Sequence, residues 1–70
     1  MVKDFRNKLG KRIKELREAK KMSREELAFQ INVSGSYIGM IERGENDFKI
    51  SKIYNISKAL KIPLCELFDF

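Results

Sequence analysis

Arginine and lysine are the side chains in this sequence that could do chemistry together, and that chemistry is the binding of anions. The 70 residues include 15 Lys and Arg against 10 Asp and Glu, no His and one cysteine, Cys65. Without an imidazole, the commonest general base and metal ligand is missing and nothing activates the Cys65 thiol. The four glycines match no phosphate-binding loop motif. We therefore expect no enzyme, catalytic residue, metal site, cofactor or small-molecule ligand, and the excess of positive charge predicts a polyanionic partner.

This excess of charge is unevenly distributed. Residues 1–24 carry a net charge of +7, residues 25–48 of −4 and residues 49–70 of +2. The first helix that we predict is therefore the basic one. Acidic side chains in the middle segment, such as Glu25, Glu26, Glu45 and Asp47, must point away from a polyanion if they are not to weaken its binding.

Length and composition predict a single domain over residues 1–70. No apolar run is long enough to cross a membrane, and the early charges exclude the apolar stretch of a signal peptide. A lone cysteine suits a reducing compartment, so we expect a cytoplasmic protein.

Helical periodicity is the signal that places these residues on elements. Phe5, Leu9, Ile13 and Leu16 recur at steps of four and three and predict a first helix over residues 5–20, with Asp4 as its N-cap. Gly10 within that helix indicates a close neighbour or a tolerated defect.

The second helix begins at a capping box formed by Ser23 and Glu26, and its inward face is Leu27, Ala28 and Ile31. Asn32 can adopt the left-handed conformation that reverses the chain. Ser34 caps a third helix over residues 35–43, which Gly44 ends.

A fourth helix is predicted to start at the cap Ser51, and Pro63 suits the first turn of a short final helix. Phe48 is expected to pack against the core. No stretch alternates with a period of two for long enough to predict a strand. The predicted fold is all-α, with five helices. Further core residues are Ile53, Ile56, Leu60, Leu64, Leu67 and Phe68.

The second and third helices, joined by the turn NVS, form a helix-turn-helix by their spacing. In such a unit one helix crosses the phosphate backbone while the other enters the major groove. The ordered segments LGKRIKELRE, SREELA, SYIGMIERG and ISKALKIPLCELF resemble the Cro and lambda-repressor-like helix-turn-helix family, also called the XRE family. This resemblance implies a compact five-helix lambda-repressor-like domain that binds double-stranded DNA and regulates transcription, as a homodimer on a palindromic operator.

The resemblance also implies which residues meet DNA. Arg24 matches a position that touches a phosphate or a neighbouring base, and Arg43 one that lies near the phosphates. Tyr37 matches a position whose hydroxyl faces a phosphate, although packing in the core fits it equally well. Arg17 and Glu42 match a structural ion pair between the first and third helices. The expected DNA-binding residues are Arg24, Ser34, Gly35, Ser36, Tyr37, Gly39, Met40, Arg43, Asn46 and Lys49.

The sequence departs from the family pattern at Gly35, where a long polar residue is common. Glycine cannot form the bidentate bonds that distinguish guanine or adenine. Ser36 discriminates weakly, and Met40 offers only apolar contact. Specificity then comes from the shape and deformability of the DNA, or the third helix serves chiefly to contact a protein. The family also places glycine at three helix ends where this chain has Lys21, Asn32 and Lys61.

The apolar end of the chain suggests how two copies would associate. Leu64, Leu67, Phe68 and Phe70 provide more apolar surface than one small core needs, so we expect them in a dimer interface. Alternatively, Phe68 completes the core of a monomer. Two other functions stay open: an antitoxin-like or adaptor module with secondary DNA binding, and the N-terminal part of a longer regulator.

Overall fold

The computed structural model describes residues 2–45 and 49–70. All regular structure in these two ranges is helical, which confirms the predicted all-α fold. Four α-helices are followed by one turn of 3₁₀ helix, which is the short fifth element that the sequence predicted. The elements are α1 (Val2–Ala19), α2 (Arg24–Ile31), α3 (Gly35–Glu42), α4 (Ile50–Ala59) and the 3₁₀ helix Leu64–Phe68.

Two helix starts follow the predicted caps. The Ser23 hydroxyl accepts a bond from the Glu26 amide at 3.0 Å, and the Glu26 carboxylate accepts one from the Ser23 amide at 2.7 Å. The Ser34 hydroxyl accepts from the Tyr37 amide at 3.1 Å. These bonds satisfy amides that a helix start leaves unpaired.

Two other predicted caps are wrong. Asp4 lies inside the first turn of α1, because that helix already begins at Val2. Ser51 lies inside α4, whose N-cap is Lys49 in an extended conformation without a side-chain bond. A carboxylate in a first turn still interacts favourably with the helix dipole, so Asp4 retains a stabilising role.

All four α-helices end in the same left-handed turn. Its backbone φ angle is 55° at Lys21, 61° at Asn32, 71° at Gly44 and 59° at Lys61. Each turn carries the pair of backbone bonds of a Schellman motif, such as Gly44 N–H to Ile41 O and Glu45 N–H to Met40 O, both 3.0 Å. Lys21, Asn32 and Lys61, where the family pattern has glycine, thus adopt the left-handed conformation that is typical of glycine.

The core is built from the predicted helix faces. Leu9, Ile13, Leu27, Ala28, Ile31, Ile38, Ile41, Ile53, Ile56, Leu60 and Leu67 are its buried apolar residues. Phe5 begins the predicted stripe of α1 but is 46% exposed. Phe48 lies outside the described residues.

The five elements contact one another in a closed ring. α1 contacts α3, α3 contacts α2, α2 contacts α4, α4 contacts the 3₁₀ helix, and the 3₁₀ helix contacts α1. Gly10 makes the α1–α3 contact possible, because a Cβ there would collide with the carbonyl oxygens of Ile41 and Glu42. This is the close neighbour that a glycine in mid-helix indicated. In the described part of the chain, no helix is long and apolar enough to cross a membrane.

Candidate nucleic-acid interface

The helix-turn-helix is fixed at both ends of its turn. Asn32, in the left-handed conformation, ends α2, and its neighbour Val33 donates a backbone bond to Ala28 O at 3.0 Å. Ser34, in an extended conformation, then caps α3. Because the turn is bonded to both helices, α2 and α3 are held at one angle and can present a rigid surface.

The exposed side of α3 borders an open concavity of about 320 Å³ that is also flanked by α2. We call it the α3 concavity. It brings together six of the ten residues that were expected to meet DNA, and Glu25 completes its lining. The residues around it are Arg24, Glu25, Gly35, Ser36, Gly39, Met40 and Arg43.

The other expected DNA-binding residues lie elsewhere. Ser34 caps α3, and Tyr37 is partly buried against the core. Lys49 is exposed at the start of α4. Asn46 lies outside the described residues. The structure therefore groups the reading positions of α3 with Arg24 and Arg43, but not with Ser34, Tyr37 or Lys49.

The charged side chains of Arg43 and Glu25 lie next to the two glycines of α3. A Cβ on Gly39 would lie 3.1 Å from Nη1 of Arg43, and one on Gly35 would lie 2.9 Å from Oε2 of Glu25. The Arg43 guanidinium and the Glu25 carboxylate thus fill the space that side chains at Gly39 and Gly35 would occupy. Glu25 therefore does not meet the condition that acidic side chains point away from a surface that binds a polyanion.

Arg43 is paired with an acidic partner that sequence reasoning left unexplained. Its Nε donates to Oε2 of Glu45 at 2.7 Å and its Nη2 to Oε1 at 3.3 Å. This hydrogen-bonded pair raises the pKa of Arg43 and, through the same bonds, lowers the pKa of Glu45. A signal was available, because the turn at Gly44 folds the residue after it back over the helix end.

A buried carboxylate fixes α3 to the rest of the protein. Arg17 donates to both oxygens of Glu42, with Nε at 2.7 Å and Nη2 at 3.3 Å, and also through Nη1 to the Met22 carbonyl at 2.7 Å. Nε of Arg24 donates to Oε1 of Glu42 at 3.0 Å. The side chain of Glu42 is only 2% exposed, whereas that of Arg24 is 43% exposed. Arg24 is therefore anchored at one edge and open to an anion at the other.

Three aromatic rings cluster where the first turns of α1 meet the C-terminal end of the chain. The rings of Phe5 and Phe68 stack at 6.1 Å, and those of Phe5 and Phe70 lie 5.8 Å apart. Phe5 is 46% and Phe70 53% exposed, and Leu64 and Phe68 are partly buried. The expectation that Leu67 lies in a dimer interface is wrong, because its side chain is completely buried within the chain. Sequence reasoning missed Phe5, which the pattern assigned to the core.

A rigid helix-turn-helix with an open reading face between two arginines defines a DNA-binding protein of the lambda-repressor-like class. The chain belongs to the helix-turn-helix family HTH_3, whose model matches residues 13–67.

Proteins similar to this chain include control proteins that it covers over most of their length. It is 37% identical to the control protein C.BamHI of Bacillus amyloliquefaciens, covering 100% of this chain and 88% of that one. It is 34% identical to the control protein C.MunI of Mycoplasma sp, covering 97% and 93%. Its fold matches the crystal structure of the restriction-modification controller protein C.AhdI from Aeromonas hydrophila, with a TM-score of 0.91, 39% identity and coverage of 94% and 96%. A further relative, from Rhodospirillum rubrum, is a transcriptional regulator that is 38% identical over 87% of this chain and 56% of its own length.

Proposed function

We propose that this chain is a sequence-specific transcriptional regulator of the restriction-modification controller type. It forms one domain over residues 1–70 and binds a palindromic operator as a homodimer, with α3 in the major groove. The similarity to C.BamHI, C.MunI and C.AhdI over nearly their whole lengths supports the controller type.

The observation that carries this proposal is the α3 concavity. Its floor is made of small or flexible residues of α3, so the helix can approach base edges closely, and Arg24 flanks it from α2. Because Glu42 holds Arg24 by one edge, the guanidinium is positioned before DNA arrives and less of its side-chain entropy is lost on binding a phosphate. Ser36 and Met40 supply weak direct contacts, and Gly35 and Gly39 line the same concavity.

Homodimerisation is assigned to the aromatic patch of Phe5, Phe68 and Phe70, together with Leu64. The rings of Phe5 and Phe70 are exposed, and Phe5 also stacks on Phe68, so the three rings form an apolar surface that association with a second copy would bury. A two-fold dimer would place two α3 helices on half-sites about one turn of DNA apart.

Selection from a random pool of DNA duplexes tests the DNA-binding part. The purified protein is expected to enrich a palindromic site, with a log–log dependence of affinity on salt of about −0.9 per phosphate neutralised. A protein that retains no duplex even at low salt would contradict the proposal and favour the adaptor alternative.

Sedimentation tests the dimer. Phe70→Ala is expected to shift the protein towards monomer at high micromolar concentration. Phe29→Ala is the control, because Phe29 is 86% exposed but lies on α2, outside the patch. Equal effects of the two substitutions, or a wild-type protein that is monomeric throughout, would refute the assignment of the interface.

A further inference from the structure

The strong hydrogen-bond donor on the reading face of α3 is Arg43, which lies at the end of the helix and not at its central positions. Gly35 and Gly39 can donate nothing to a base from a side chain, and Met40 has only a thioether. Arg43, at the end of the helix, lines the same concavity. The question is which part of the DNA its guanidinium is placed to meet.

The guanidinium of Arg43 lies back along α3 and over Gly39. Helical side chains lean towards the N-terminus, so a residue covers the turn that precedes it. Arg43 keeps near-helical backbone angles of φ −87° and ψ −3°, and its Nη1 lies 3.1 Å from where a Cβ of Gly39 would be. Gly39 is consequently buried although it borders the concavity. Any larger residue at this position would compete with the guanidinium for the same space.

The bond to Glu45 selects which edge of the guanidinium stays available. Glu45 takes one N–H from Nε and one from Nη2. Of the five N–H groups of arginine, three remain, two on Nη1 and one on Nη2. Those on Nη1 and Nη2 form the parallel end-on fork, and Nη1 is the nitrogen nearest Gly39. The fork that remains free is therefore the one on the side of the α3 concavity.

The geometry points to Arg43 as the residue that reads a guanine in each half-site, with Glu45 as a positioning residue that orients it; this inference rests on the proposed function. The free Nη1 and Nη2 donors match the O6 and N7 acceptors of guanine in the major groove. The Glu45 carboxylate repels a phosphate that approaches the same guanidinium, whereas the guanine edge is neutral and meets no such repulsion. This assignment differs from the phosphate contact that the family resemblance implied for Arg43.

Arg43→Met is the decisive variant, because it keeps a long side chain and removes every hydrogen-bond donor that could reach O6 or N7 of guanine. Sites are selected from a random duplex pool with the wild type, and the selection is repeated with the variant at the same salt concentration. We expect one guanine per half-site to become degenerate with the variant, with the rest of the motif unchanged. The wild type is expected to bind its selected duplex about 5- to 150-fold more tightly than a duplex with that guanine replaced. The variant is expected to lose this ratio.

Arg24→Met is the matched control, since Arg24 lines the same concavity and loses the same charge, but is assigned to a phosphate. It is expected to keep every selected guanine. An Arg43→Met pool that retains all its guanines, or a loss of the same guanine with Arg24→Met, would overturn the inference. A wild type that selects no site at all would instead refute the proposed function.

Glu45→Gln tests whether Glu45 orients the Arg43 guanidinium or only reduces the nonspecific attraction of the protein to DNA. Removing a carboxylate near DNA is expected to strengthen binding to scrambled duplex, while the loosened guanidinium lowers the preference for guanine. The two readouts therefore move in opposite directions. An unchanged guanine preference with Glu45→Gln would overturn the positioning role.

Discussion

Glu42→Gln is predicted to destabilise the protein strongly, whereas Glu45→Gln is predicted to have little effect. Each carboxylate accepts the same two bonds from one arginine, with Nε at 2.7 Å and Nη2 at 3.3 Å. The two pairs differ in burial. Arg17 and Glu42 have side chains that are 8% and 2% exposed, against 54% and 52% for Arg43 and Glu45. Glu42 also accepts a bond from Nε of Arg24, so the comparison reports the effect of burial together with that additional bond.

The magnitude follows from what each substitution leaves behind. Glutamine at position 42 leaves the buried Arg17 guanidinium with only the exposed carboxylate of Glu18, 3.9 Å away, as a counter-charge. Breaking a buried pair costs about 3–5 kcal/mol. A domain of 70 residues has a stability of only about 4–10 kcal/mol. With an unfolding entropy of about 150 cal/mol/K, a loss of 3 kcal/mol lowers the melting temperature by about 20 °C. The exposed pair is screened by solvent, so its loss is expected to leave the melting temperature unresolved from that of the wild type.

Thermal unfolding followed by circular dichroism at neutral pH measures both variants. Chemical denaturation provides an independent midpoint, since a change in midpoint at a constant slope reports stability alone. Equal shifts for the two variants would refute the role of burial. A stable Glu42→Gln protein would show that Arg17 finds another partner or water when its counter-charge is removed.

Three further substitutions test the backbone and the caps. Gly10→Ala is expected to lower the urea midpoint despite the better helix propensity of alanine, because its Cβ would lie 2.7 Å from the Glu42 carbonyl oxygen; a higher midpoint would contradict the close approach. Lys61→Gly is expected to raise stability by about 1 kcal/mol in thermal unfolding, because φ at this position is 59° and glycine adopts that angle without strain; a lower melting temperature would contradict this. Bonds from the Ser23 backbone and then its hydroxyl lower the pKa of Glu26 below its ordinary value of 4.5. Glu26 therefore stabilises the fold above that value, and this stabilisation is lost as pH falls through the lower pKa of the folded state. Glu26→Gln should differ from the wild type in urea midpoint at pH 7 and converge with it in acid. A difference that stays constant with pH would refute the linkage.

Local chemistry made much of the fold predictable from the sequence. Ser23 and Ser34 are capping residues followed at once by apolar periodicity, and Asn32 lies where the chain has to reverse. The start of α4 was not predictable in this way, because Lys49 caps it with backbone alone while Ser51 offers a more typical side chain. Short-range signals locate a helix and determine its ends only where a side chain does the capping.

The interface was predictable in outline but not in its electrostatics. The family pattern brings Arg24, Ser36 and Arg43 to one face, and the structure shows them around one concavity. The position of Glu25 above Gly35 depends on the angle between α2 and α3, which periodicity does not encode. A net charge of −4 over residues 25–48 therefore predicted acidity in this region without revealing which carboxylates face the concavity.

The closed ring of contacts among the five elements determines how the protein can open. Each element contacts two others, so none can detach without losing packing on two sides. In native-state hydrogen exchange, the amides of α3 should then exchange only through global unfolding, at the same free energy as those of α1 and α4. We therefore expect α3 to unfold only together with the whole domain, and a substitution that weakens the ring to reduce DNA binding through a smaller folded fraction.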